Sequence, residues 1–82
     1  MGRIIVYTLP HCQICKVICN SLRQLGIPFE ERNALDYAPF LKANGFSSVP
    51  IVQFDGELHY VSSMTALMFL LRERGLLARD ET

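Results

Sequence analysis

The chain opens on an unbroken hydrophobic run and then changes period. Arg3 to Thr8 is β-branched and aromatic through Ile4-Ile5-Val6-Tyr7 and is closed by Leu9-Pro10, the pattern of a buried strand. From Cys12 onward, Cys15, Ile18, Cys19, Leu22 and Leu25 recur at helical spacing, and Gly26 supplies the C-terminal stop. Pro28 then admits a short second strand, Phe29 to Arg32. Asp36 is a suitable N-cap for a second helix that runs to Ala43 and stops at Asn44-Gly45. Pro39 is tolerated in its first turn, because the N–H it lacks would have no helical partner there.

Pro50 to Phe54 and Glu57 to Val61 are strand-like runs joined by Asp55-Gly56, a strong hairpin signal. Ser62 or Ser63 caps a last helix that carries Ala66, Leu67, Leu70 and Leu71 on its apolar side, with Arg72 and Arg74 at its end and Gly75 as terminator. Ala78 to Thr82 reads as a loose polar tail. The order is β-α-β-α-β-β-α. Strands one and two, linked by a helix, are expected to lie parallel, and the last two to form an antiparallel hairpin. An α/β fold follows, a four-stranded mixed sheet with helices on both faces.

Composition narrows the function classes. The 82 residues are half apolar with zero formal net charge, which suits one small globular domain spanning 1–82 and argues against disorder. No Lys/Arg cluster offers a footprint for nucleic acid. The longest apolar stretch, Met64 to Leu71, is too short to cross a bilayer. The N-terminal apolar run is strand-sized rather than a secretory signal, and Val6 stands where a myristoylation motif needs Ser or Thr. Three cysteines would leave one over in an all-disulfide framework. The expected compartment is therefore a reducing cytoplasm. There is no internal repeat or linker, and nothing demands more than a monomer.

The chemistry concentrates in His11-Cys12-Gln13-Ile14-Cys15, between the first strand and the first helix. This cysteine spacing serves both zinc sites and redox sites, and the strand-turn-helix setting tilts it toward redox chemistry. Cys12 would meet free backbone N–H groups and the positive end of the helix dipole, which stabilise a thiolate. It is the expected nucleophile, with Cys15 one turn deeper as the resolving thiol. Cys19 suits a small core hydrophobe. Its other reading completes a C-x2-C-x3-C ligand set, and with it an alternative function as an iron–sulfur or metal carrier of the same fold. Protonated His11 would favour the thiolate; a plain loop histidine fits equally. Lys16 could add positive potential or simply be solvated, and Tyr7 suits core packing or the border of a substrate groove. His59 and Tyr60 carry no assigned chemistry. Ser62-Ser63 offers N–H groups at a helix N-terminus to a carboxylate, beside its default capping role.

Three segments together resemble the glutaredoxin branch of the thioredoxin superfamily: Tyr7 to Lys16, Ser48-Val49-Pro50-Ile51-Val52, and Asp55-Gly56 with Ser62-Ser63. The resemblance implies a thioredoxin fold and a thiol–disulfide oxidoreductase that uses Cys12 and Cys15 to reduce protein or glutathione mixed disulfides. It also implies a cis Pro50, with Val49 pairing its backbone to the bound peptide or glutathione. The implied substrate-binding set is Thr8, His11, Gln13, Ile14, Val49, Pro50, Ser62 and Ser63, with no metal and no tightly bound cofactor. Gln13-Ile14 replaces the usual Pro-Tyr, and Thr8 stands where a Lys is common. Ser62-Ser63-Met64-Thr65 matches the family's Gly-Gly-Cys-Asp only in its small residues. Those departures look more like the glutaredoxin-like electron donors of ribonucleotide reductase, though their aromatic-Ser-Gly-Phe sequence is absent. The electron source therefore stands open between glutathione and thioredoxin reductase, and the substrate between a protein and a small-molecule disulfide.

Overall fold

Ile4–Thr8 forms the central strand β1 of a four-stranded sheet ordered β2-β1-β3-β4. The structure, a computed structural model, describes residues 3–77; the expectations for Met1-Gly2 and for Ala78 to Thr82 lie outside the described residues. Strand β2 (Glu30–Asn33) runs parallel to β1, with Ile5 opposite Glu30 and Thr8 opposite Asn33. Strand β3 (Ile51–Phe54) runs antiparallel on the other side, with Ile4 opposite Phe54 and Tyr7 opposite Ile51. Strand β4 (Glu57–Tyr60) closes the hairpin. The mixed sheet read from the sequence is thus observed.

All five residues of β1 are buried because helices cover both faces. Toward one face Ile4, Val6, Val52 and Phe54 pack with Ile18, Cys19 and Leu22 of helix α1 (Gln13–Gln24) and with Leu67 and Leu71 of helix α3 (Met64–Glu73). Toward the other, Ile5, Tyr7 and Ile51 pack with Ala34 and Leu41. Leu41 belongs to helix α2 (Ala38–Ala43), and Ala34 opens a 3-10 turn, Ala34–Tyr37, that precedes it. No helix among the described residues is long and apolar enough to cross a membrane.

Local signals set most boundaries. The Asp55-Gly56 turn has φ of 50° and 94°, the left-handed pair that matches the twist of a two-residue hairpin. Gly26, with φ of 71°, lets Ile27 N–H return to the Leu22 carbonyl at 3.0 Å and so ends α1. Ser63, rather than Ser62, caps α3, its Oγ accepting from Ala66 N–H at 3.1 Å. Three expectations need correction. Asp36 is not an N-cap: Asn33 caps the 3-10 turn by accepting from Leu35 N–H at 2.9 Å, and the chain enters α2 through Tyr37 without a side-chain cap. The second strand begins one residue later than expected, at Glu30, while Phe29 packs against the first core cluster. Leu25, which continues the helical spacing, is exposed; it is the C-cap that follows the last residue of α1.

Candidate active site

The end of β1 delivers the chain to the site. Thr8 is the buried last residue of the strand, and Leu9-Pro10 makes the turn that lets Cys12 N–H donate to the Leu9 carbonyl at 3.2 Å. Cys12 is then the N-cap of α1, with extended backbone at φ −90° and ψ 109°. Its sulfur takes the place usually filled by a Ser or Asp oxygen and accepts the Cys15 N–H at 3.1 Å. Cys12 and Cys15 are joined as a disulfide, their Cα atoms 5.2 Å apart. Cys12 is half-buried, whereas Cys15 is only 2 % exposed. The two sulfurs therefore differ in access in the order the sequence suggested.

Cys19 lies one turn beyond Cys15 on the same buried face. Burial, and then the nearby charge of Glu31, push its thiol up to about 11, against a smaller opposing effect of Arg23. It is a core thiol, protonated at neutral pH. Among the described residues, no group of three or more His, Cys, Asp or Glu side chains is placed to hold a metal.

The second segment approaches from β3. The Val49–Pro50 peptide is cis, as the resemblance implies, and Pro50 is buried. Its carbonyl accepts Val61 N–H at 3.1 Å, which ties the chain entering Ser62-Ser63 to the proline. Val49 is half-buried and shares with Leu9 a groove of about 530 Å³, also walled by Leu35, Leu41, Phe46 and Tyr60. A second groove, of about 310 Å³, brings together Thr8, Leu9, Cys15, Lys16 and Glu31.

The remaining residues of the expected binding set divide by exposure. His11 and Gln13 are exposed, and neither forms a side-chain hydrogen bond among the described residues. Ile14 is half-buried against the core between α1 and α3. Thr8 faces inward and donates its hydroxyl to Glu31 Oε2 at 2.9 Å. Ser62 is exposed, and Ser63 is occupied as the cap of α3. Glu31 and Tyr60 were not anticipated as site residues. Glu31 reaches the site only through the parallel register that sets it opposite Val6, and Tyr60 only because the hairpin swings β4 beside the groove.

The Glutaredoxin family model matches residues 4–59, a span that includes both cysteines and the cis proline. Among solved structures, the chain is similar to a point mutant of a thioredoxin-like protein, with 28% identity and a TM-score of 0.71. That match covers 88% of this chain and 97% of the other. A Nu-class glutathione S-transferase from Haemonchus contortus shares the fold alone, at 15% identity and a TM-score of 0.68, over 98% of this chain and 40% of the transferase. No curated protein sequence matches the chain.

Proposed function

The chain belongs to the glutaredoxin family, and from that footing we propose that it is a dithiol oxidoreductase that reduces disulfides through Cys12 and Cys15. One observation carries this reading: Cys12 caps α1 while Cys15, a single turn behind it, is buried and already bonded to it. The Cys15 N–H that meets the Cys12 sulfur and the positive end of the α1 dipole act on that sulfur in the reduced protein. They favour the anion over the neutral thiol.

The Cys12 thiolate attacks one sulfur of the substrate disulfide. A Cys12–substrate bond forms, and the other substrate sulfur leaves with the electron pair and takes a proton. Cys15 then gives up its proton and attacks Cys12 Sγ, which releases the second substrate thiolate and forms the Cys12–Cys15 disulfide. Two electrons have passed to the substrate. An external thiol, glutathione or a thioredoxin reductase, returns the protein to the dithiol.

The backbone of Val49 pairs with the bound chain beside the cis proline, and Ser62-Ser63 N–H groups receive a carboxylate. Thr8, His11, Gln13 and Ile14 border the sulfurs. The apolar walls of the groove beside Val49 suit a polypeptide disulfide. The test compares glutathione with its reductase against thioredoxin reductase as electron source, for the wild type and Cys15→Ser. A dithiol carrier loses protein-disulfide reduction in Cys15→Ser, whereas a monothiol glutathione cycle survives it. No turnover with either reductant overturns the reading.

A further inference from the structure

Resolution of the mixed disulfide sets a problem that the Cys12 side of the site does not solve. Cys15 must become a thiolate, yet it is 2 % exposed, and its own N–H serves the Cys12 sulfur. Burial without a charge partner disfavours the anion. The same face of α1 shows the effect one turn on, where burial and the Glu31 charge raise Cys19 to about 11. An attacking Cys15 therefore needs a route by which its proton leaves.

The groove of about 310 Å³ supplies one. Cys15 forms part of its wall, and so do Thr8 and Glu31. Thr8 is the buried polar side chain at the end of β1, 7% exposed, and its hydroxyl donates to Glu31 Oε2 at 2.9 Å. A hydroxyl that donates outward keeps lone pairs to accept from within. Glu31 sits opposite Val6, so its side chain shares the α1 face of the sheet with Val6 and Thr8. Its other oxygen is held by Arg23 at 3.4 Å, and its side chain is 45% exposed to solvent. Arg23 and Cys19 face it from α1 and Thr8 from β1, and Cys15, Lys16 and Asn33 share its groove; Arg32, next in its strand, points to the opposite face, where it pairs with Glu30.

We infer that the Thr8–Glu31 pair is the proton outlet of Cys15 in the resolving step. As Cys15 Sγ attacks Cys12 Sγ, its proton passes to the Thr8 oxygen, directly or across one groove water. The Thr8 hydroxyl proton moves to Glu31, and the carboxyl group returns it to solvent. The Cys12–Cys15 bond forms, the Cys12–substrate bond breaks, and the electron pair leaves on the substrate sulfur. Thr8 takes the proton of the resolving thiol, and Glu31 acts on that thiol through Thr8. The inference rests on the dithiol cycle proposed above.

Rapid mixing of the reduced protein with a chromogenic aryl disulfide separates the two steps. The first release of aryl thiolate reports Cys12 attack, and the second reports resolution by Cys15. Rates are followed between about pH 5 and pH 9 for the wild type, Glu31→Gln, Thr8→Val and Thr8→Ser. A proton outlet lowers the rate of the second phase relative to the first at least about tenfold near neutral pH in Glu31→Gln and Thr8→Val. Thr8→Ser retains the wild-type second phase, and imidazole buffer speeds the impaired variants. An unchanged second phase overturns the inference. A faster one overturns it too, because it shows Glu31 acting only as a charge that opposes the thiolate. A wild type that releases a single equivalent fails the dithiol cycle itself, and the outlet falls with it.

Discussion

The backbone N–H of Cys15 points at the sulfur of Cys12, 3.1 Å away, so one atom both caps the first helix and takes part in the redox bond. A cap needs an acceptor, and a thiolate or hydroxyl supplies one where a methyl group does not. Cys12→Ser and Cys12→Ala both lose the disulfide, so comparing them isolates the cap. Urea unfolding should find Cys12→Ser the more stable by about 0.5–2 kcal/mol, while neither variant forms a mixed disulfide. Equal midpoints would show that the contact contributes nothing to the helix.

Cys19 ties stability to alkaline pH. Its thiol is raised from the ordinary cysteine range to about 11, with burial the largest cause. A raised value means that the folded state holds the proton more tightly than the unfolded chain does. The contribution is therefore complete below pH 9 and is lost as pH rises toward 11. In the oxidised protein, where Cys12 and Cys15 do not titrate, Cys19→Ala should flatten this part of the stability curve. The term removed is on the order of 2 kcal/mol. Parallel curves for the two proteins would contradict it.

Ile18 is fully buried beneath the site, on the face of α1 that packs against the sheet. Ile18→Ala should cost about 2–5 kcal/mol in denaturant unfolding, and Ile18→Val about 0.5–1.5 kcal/mol. A smaller loss in Ile18→Ala would mean that α1 settles onto the sheet without that contact.

The left-handed Asp55-Gly56 turn registers β3 against β4. Gly56→Ala places a Cβ on a backbone with φ of 94°. It should destabilise the protein by about 1 kcal/mol or more, read as a lower thermal midpoint. An unchanged midpoint would show that the hairpin tolerates another turn type.

What the sequence disclosed divides along physical lines. The buried run Ile4-Ile5-Val6-Tyr7, the period of α1 and the Asp55-Gly56 turn are local signals, and each produced its element. Asp36 misled because a good capping residue is also a good 3-10 residue. Asn33, at the end of a strand, captured the cap through its contact with Leu35 N–H. The two cysteines and Val49-Pro50 were legible because their spacing and setting are specific. Glu31 was not: its contact with Thr8, 23 positions earlier in the chain, arises from strand pairing. Nothing in its immediate neighbours distinguishes it from an edge-strand carboxylate. The groove beside Val49 was hidden for the same reason, since Leu9, Leu35, Phe46 and Tyr60 converge only after the sheet and α2 are assembled.

Disulfide exchange by this protein depends above all on the state of one sulfur in its reduced form. Alkylation of Cys12 with iodoacetamide, followed across pH with the modified residue identified by mass spectrometry, reads that state directly. A reactive thiolate that persists at neutral pH, with a midpoint well below the value of about 8.5 of an ordinary cysteine, is the predicted result. A midpoint at or above that value, with slow modification at neutral pH, would contradict it.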